Sequence, residues 1–155
     1  MSEPVILMRD FLRANMTDPD STRLGAGTNW IYDDFPRLDL SSGSYPRVSI
    51  IETSETSEPL GFRSNNFWTT VDLQVDIWVK EDTYYTIGGT YYADIALCRK
   101  IARDAIDVVR TNWTDLADAN SFLTIKMTGK TPPNYDYNYK IWRITLDYEL
   151  KTNMR

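Results

Sequence analysis

From Asn66 to Lys80 the chain reads NFWTTVDLQVDIWVK, with apolar and polar residues in alternation. Phe67, Thr69, Val71, Leu73, Val75, Ile77 and Val79 fall on one side of an extended backbone, because successive side chains of a strand point to opposite faces. Trp68, Thr70, Asp72, Gln74, Asp76, Trp78 and Lys80 fall on the other. The pattern predicts a half-buried β-strand of roughly 50 Å, at about 3.3 Å per residue, where a usual strand has about five or six residues. One end is therefore expected to project past the domain core and to need a neighbour, which another subunit would supply.

Other segments show the helical period. Over residues 4 to 15, Val5, Met8, Phe11 and Leu12 recur at three- and four-residue spacing, and Pro4 suits a first turn, so a short helix is expected to end before Asp18-Pro19-Asp20. From Tyr91 to Asn112 a longer helix is predicted, with Ile95, Cys98, Ala102, Ala105, Ile106 and Val109 in one stripe and Lys100, Arg103, Asp104 and Asp107 opposite. Leu97, Ile101 and Val108 form a second, narrower apolar edge, suited to more core or to a subunit contact.

Further strands are expected at Trp30 to Tyr32, Tyr45 to Thr53, Ser121 to Thr128 and Tyr137 to Leu150. In the second of these Ile51 breaks the alternation, which points to a bulge or to burial on both sides. In the last, Trp142, Ile144, Leu146, Tyr148 and Leu150 share one face, and Arg143, Thr145, Asp147 and Glu149 the other. The final TNMR is expected to fray. The order predicts a single α+β domain over residues 1–155: an antiparallel sheet of four to five strands with two helices packed on one face. The uncovered face would carry Trp68, Asp72, Asp76, Trp78, Arg143, Asp147 and Glu149.

Between these elements the pattern lapses at residues 16–29, 54–66 and 81–90, read as long loops, with a further turn-rich connection at 129–136. SETSEPLGFRSNN, residues 54 to 66, is expected to be a docking arm, with Leu60 and Phe62 as its apolar contact residues. Gly25-Ala26-Gly27 does not make a dinucleotide-binding loop, since Trp30 stands where the third glycine belongs and a helix, not a strand, precedes it. Asp18 and Asp20 lack the glycine and distal glutamate of a calcium loop.

Composition narrows the chemistry. The chain has no histidine and one cysteine, Cys98, which excludes Ser/His/Asp and Cys/His triads, histidine zinc sites and an intrachain disulfide. A net charge of −5 with no basic cluster disfavours binding to nucleic-acid phosphates. Residues 1 to 16 contain an apolar run of only four before Arg9 and Asp10, too short for a signal-peptide core or a membrane span, which predicts a protein that is intracellular when made.

Asp72 and Asp76 project from one face of one strand, with Asp147 and Glu149 on a neighbouring strand, an arrangement that admits a carboxylate metal site or an acid/base pair. The plainer reading is a solvated sheet face, and no metal or cofactor is expected. Cys98 lies on the apolar stripe and reads as a small buried hydrophobe. Asn15-Met16-Thr17 and Asn112-Trp113-Thr114 match glycosylation acceptors without a secretion signal. Tyr84, Tyr85, Tyr91 and Tyr92 crowd the approach to the longer helix, and Tyr135, Tyr137 and Tyr139 the entry to the last strand. Tyrosine and tryptophan are enriched at interfaces, which makes the first four, with Trp68 and Trp78, candidates for a subunit or partner contact.

The succession of YPRVSII, VDLQVDIWVKE, IALCRKIARDAIDVV and KIWRITLDYEL resembles the tail-terminator and tail-completion proteins of tailed bacteriophages and archaeal tailed viruses, from about Val5 to Leu150. The resemblance implies a small α+β domain without enzymatic activity that assembles into a ring, commonly a hexamer, at the virion's head–tail neck after synthesis in the host cytoplasm. It implies as partners the tail tube protein and a head-completion or adaptor protein, with viral DNA passing through unbound and no membrane. Asp72, Asp76, Asp147 and Glu149 would then face the channel, where a negative wall repels phosphate. A head-completion or adaptor protein of the same neck is the nearest alternative. A small enzyme or ligand-binding domain using the Asp72/Asp76 face is the alternative from another class.

Overall fold

The computed structural model describes residues 4–23, 30–33, 45–59, 67–120 and 122–154. Its α+β architecture has two helices and a mostly antiparallel sheet of about six strands. α1 spans Pro4–Asn15 and buries Val5, Met8, Phe11 and Leu12, the residues its spacing singles out. β1, Ile31–Tyr32, pairs parallel with the start of β2, Arg47–Pro59. β3, Phe67–Lys80, lies antiparallel to β2 on one side and to β8, Ile141–Met154, on the other. Beyond β8 comes β6, Phe122–Lys130, and then β7, Asn134–Asp136, which continues along the same strand.

One core unites these layers. Val71, Leu73, Val75, Ile77 and Val79 from β3 and Ile144, Leu146, Tyr148 and Leu150 from β8 share it with Val48 and Ile50 of β2 and the buried side of α1. α2, Asp94–Asn120, contributes Leu97, Cys98, Ile101, Ala102, Ala105, Val109 and Leu116. Leu97 and Ile101 of the narrower edge are thus core, whereas Ile95 and Ile106 of the main stripe are only half-buried. At Asn112 the helix kinks, with φ −114° and ψ 16°, so its first segment ends where the periodicity stops.

Several expectations change. Residues 54–59 are strand, not loop: β2 runs on to Pro59, paired with β3 as far as Phe67, and a bulge between Glu52 and Ser54 restores the register. Ile51 is not itself the bulge; Val48, Ser49 and Ile50 just before it are all buried, so both sides of β2 are covered there. Residues 81–90 are mostly a hairpin, β4 (Tyr84–Ile87) paired with β5 (Thr90–Ala93) through Gly88 and Gly89. The two glycines have φ of 58° and 82°, the pair of positive angles that a two-residue turn between twisted strands requires. Tyr91 to Ala93 therefore belong to this hairpin and α2 begins only at Asp94, whose carboxylate accepts a hydrogen bond from the Asp82 backbone N–H at 2.7 Å. Finally, the last strand begins at Ile141, not Tyr137, and continues through residues 151–154, which pair with Phe67 to Thr70 instead of fraying.

Candidate functional site

The second face of the sheet, away from the core shared with the helices, divides into a buried end and an open end. Cross-strand register explains the division. At the buried end Arg47, Trp78 and Arg143 form one row and Ser49, Asp76 and Thr145 the next. Tyr45, Trp78 and Ile141 make a small apolar cluster there, and the Trp78 indole N–H donates to Ser49 Oγ at 2.9 Å.

Asp76 is wholly buried in this corner. Its carboxylate accepts hydrogen bonds from Arg143 Nε at 3.0 Å, from Gln74 Nε2 at 2.9 Å and from the Thr145 hydroxyl. The Arg143 guanidinium also lies over the Trp78 ring, 4.7 Å from its centroid. A buried carboxylate is stable only when its charge is paired and its lone pairs are occupied, and both conditions hold here. The expected exposure of Asp76 and Trp78 is therefore overturned: neither lies on an open surface, and Asp76 does not form a solvated pair with Asp72.

At the open end, Asp72 sits opposite Glu149, and Gln74 opposite Asp147. Asp72 accepts a hydrogen bond from the Ser54 hydroxyl on β2. Glu149 in turn faces Lys126 on β6, and Lys151 lies between Thr70 and Thr124. Asp72, Asp147 and Glu149, all half-buried, thus share a face on which lysines alternate with carboxylates. Among the described residues, no group of three or more Cys, Asp or Glu side chains is arranged to hold a metal ion. Beyond this row Trp68, 38% exposed, overlooks a shallow depression of about 380 Å³ lined by Glu58, Thr70, Thr124 and Lys151.

The four hairpin tyrosines separate in pairs. Tyr84 and Tyr91 point outward, 61% and 63% exposed, with ring centroids 5.7 Å apart. Tyr85 and Tyr92 pack against the core. Near the entry to β8, Tyr135 meets Tyr137 edge-on at 4.9 Å and Trp142 at 4.8 Å, and Tyr137 is 84% exposed. Leu60 and Phe62 lie outside the described residues. Cys98 is buried against the backbone of β3, its Sγ 3.7 Å from the Ile77 carbonyl oxygen, and burial pushes its thiol up to about 12.

Sequence reasoning missed a groove between α2 and β6. It holds about 490 Å³ and is lined by Ile106, Val109, Arg110, Trp113, Ile125 and Met127, with Thr124 and Tyr148. Trp113 and Met127 are exposed at 44% and 41%. The Tyr148 hydroxyl is buried beside it without a hydrogen-bond partner among the described residues, and desolvation raises the phenol's pKa, keeping it a proton donor. Only the position of Trp113, just past the helical stripe, could have signalled this groove in the sequence. No protein-family model matches the chain, and no curated protein matches it.

Proposed function

We propose that the chain is a structural subunit of a ring, most simply a hexamer, at the head–tail neck of a tailed virus, where it ends the tail tube and joins it to the head. The observation that carries this reading is the hairpin of β2 and β3. Its β2 strand exposes nearly every side chain from Ile51 to Pro59, while β3 beside it stays paired with β8 along its whole length and buries Thr69, Val71 and Leu73. The pair therefore presents an open sheet edge of the kind a neighbouring subunit covers and does not project past the core. The sequence pattern shared with tail-terminator and tail-completion proteins supplies the particular assembly. In this reading both helices cover one face of the sheet, and Asp72, Asp147 and Glu149 on the other lie near the channel. Their charge keeps passing DNA from adhering. Tyr84, Tyr91 and Trp68 are the exposed aromatic anchors for a neighbouring subunit, the tail tube protein or a head-completion or adaptor protein. Acid/base chemistry by Asp72 and Asp76 draws no support from the site, because Asp76 is enclosed by Arg143, Gln74 and Thr145. Electron micrographs of the purified protein test the proposal: rings with a central hole are expected, and a protein that stays monomeric at high concentration would overturn it.

A further inference from the structure

The sheet ends in two strand edges of opposite charge. On one side, β1 covers only Val48 and Ser49 of β2, so among the described residues the stretch from Ile51 to Pro59 has no second strand beside it. That stretch, IETSETSEP, carries Glu52, Glu55 and Glu58 and no basic residue. On the other side, β6 ends the strand order, and its sequence FLTIKMTGK carries Lys126 and Lys130 and no acidic residue. Glu55, Glu58, Lys126 and Lys130 are all exposed.

The two edges also lie at the same level of the sheet. Glu55 is in register with Val71, Val71 with Leu150, and Leu150 with Ile125 of β6. Three successive antiparallel pairings make β2 and β6 run in opposite directions. A second molecule added in the same orientation would therefore bring its β2 antiparallel to β6, the geometry in which ladder hydrogen bonds form directly.

We propose that the copies of this chain join head to tail through these edges, the acidic outer half of β2 in one copy pairing with β6 in the next. This rests on the ring reading and names the contact that builds the ring. Exposed edges invite strand addition, and the opposite charges select this pairing over β2 with β2 or β6 with β6, where like charges would face each other. A head-to-tail contact closes into a ring when its rotation permits. The groove between α2 and β6 becomes part of the joint. Glu55 projects to the same side of the sheet as Tyr148, since its cross-strand partner Val71 is a core residue, so the incoming carboxylate enters on the groove side of the joint, which Arg110 also lines. Trp113 and Met127 would be covered in the same step.

Two variants with reversed edges test this: Glu55→Lys with Glu58→Lys, and Lys126→Glu with Lys130→Glu. Each alone presents like charges at every joint and is expected to assemble about 100-fold more weakly than wild type in sedimentation or light scattering. Mixed in equal amounts they present opposite charges at every joint, and rings of alternating copies are expected to return, which also shows that both variants are folded. If the wild type assembles and the separate variants assemble equally well, the edge pairing is wrong while the ring reading stands. The edge pairing is equally overturned if the mixture stays dissociated although circular dichroism shows both variants folded. If the wild type never assembles, both fall.

Discussion

The side-chain amide of Asn112 donates to Oδ1 of Asn15 at 2.6 Å, tying the kink of α2 to the last residue of α1. Asn15 uses its own amide to reach back to the Phe11 carbonyl at 2.9 Å, so its oxygen is held in place for the contact. Both asparagines match glycosylation acceptors in sequence, yet here they bond each other. Replacing either with alanine should cost about 1 kcal/mol, and the pair should show a coupling of about 0.5 to 1.5 kcal/mol in a double-mutant cycle measured by urea unfolding. Strictly additive losses would deny the bond any energetic role.

Asp76 and Asp72 point to the same side of one strand but should differ widely in cost. Asp76→Ala strands Arg143 beside Trp78 and leaves the Thr145 hydroxyl without its acceptor, for a loss of about 2 to 4 kcal/mol, reduced because Arg143 is partly exposed. Asp72→Ala removes one hydrogen bond from Ser54 and should cost about 1 kcal/mol or less. Equal midpoints in urea would contradict the burial of Asp76.

Val75 is fully buried in the core, whereas Thr56 on the neighbouring strand is exposed. Val75→Asp should cost several kcal/mol, enough to unfold a typical domain, while Thr56→Asp should change stability by about 0.5 kcal/mol at most. Circular dichroism of the two variants decides between the faces of the hairpin.

The Cys98 thiol gives a pH dependence with a definite sign. Burial raises its pKa in the folded chain from 9.0 to about 12, so above pH 9 the unfolded chain releases a proton that the folded chain retains. Stability from this group is complete below pH 9 and falls as pH rises toward 12. Tyr148, also raised by burial, adds a decline of the same sign at higher pH. Cys98→Ala should flatten the alkaline loss of stability, and a thiol reagent at about pH 8, where unfolded thiols begin to ionise, should label the wild type only on unfolding. Rapid labelling of the folded protein would show the thiol to be accessible.

On the ring reading, Asp72→Lys with Glu149→Lys should leave folding intact and introduce salt-sensitive DNA binding, since these residues sit side by side on the open face. Only charges within about 8 Å of the DNA path count at physiological salt. A titration at low and moderate salt checks this; tight DNA binding by the wild type would remove the carboxylates from any channel wall.

What the sequence showed depended on how local the cause was. Alternation in β3 and spacing in α1 arise from neighbours along the chain, and both elements appear with the expected buried residues. The extension of β2 to Pro59 was hidden because SETSEP has no apolar run, and only its pairing with β3 holds it extended. Tyr84 to Thr90 read as a loop and Tyr91 to Ala93 as the start of the helix, since tyrosines and threonines without a buried face give no period of their own, although Gly88-Gly89 marks the turn. Asp76 looked like any solvated carboxylate because Arg143 and Thr145, which enclose it, are far along the chain and meet it only through the β3–β8 register. The alternation puts Tyr148 on the core side, but nothing nearby in sequence indicates that its hydroxyl has no partner among the described residues.

β8 occupies the middle of the sheet, between β3 and β6, although it is the last strand in sequence. Contacts between segments so far apart form slowly, because much of the chain must be ordered before any pairing is rewarded. A chain cut short before Ile141 would leave β3 and β6 with nothing between them, and Val71, Leu73, Val75 and Ile77 without their neighbours on β8. Truncated copies should therefore fail to fold at all instead of folding into defective ones. On the ring reading, that makes the fold its own inspection step: a subunit that can dock is one that has been synthesised through β8.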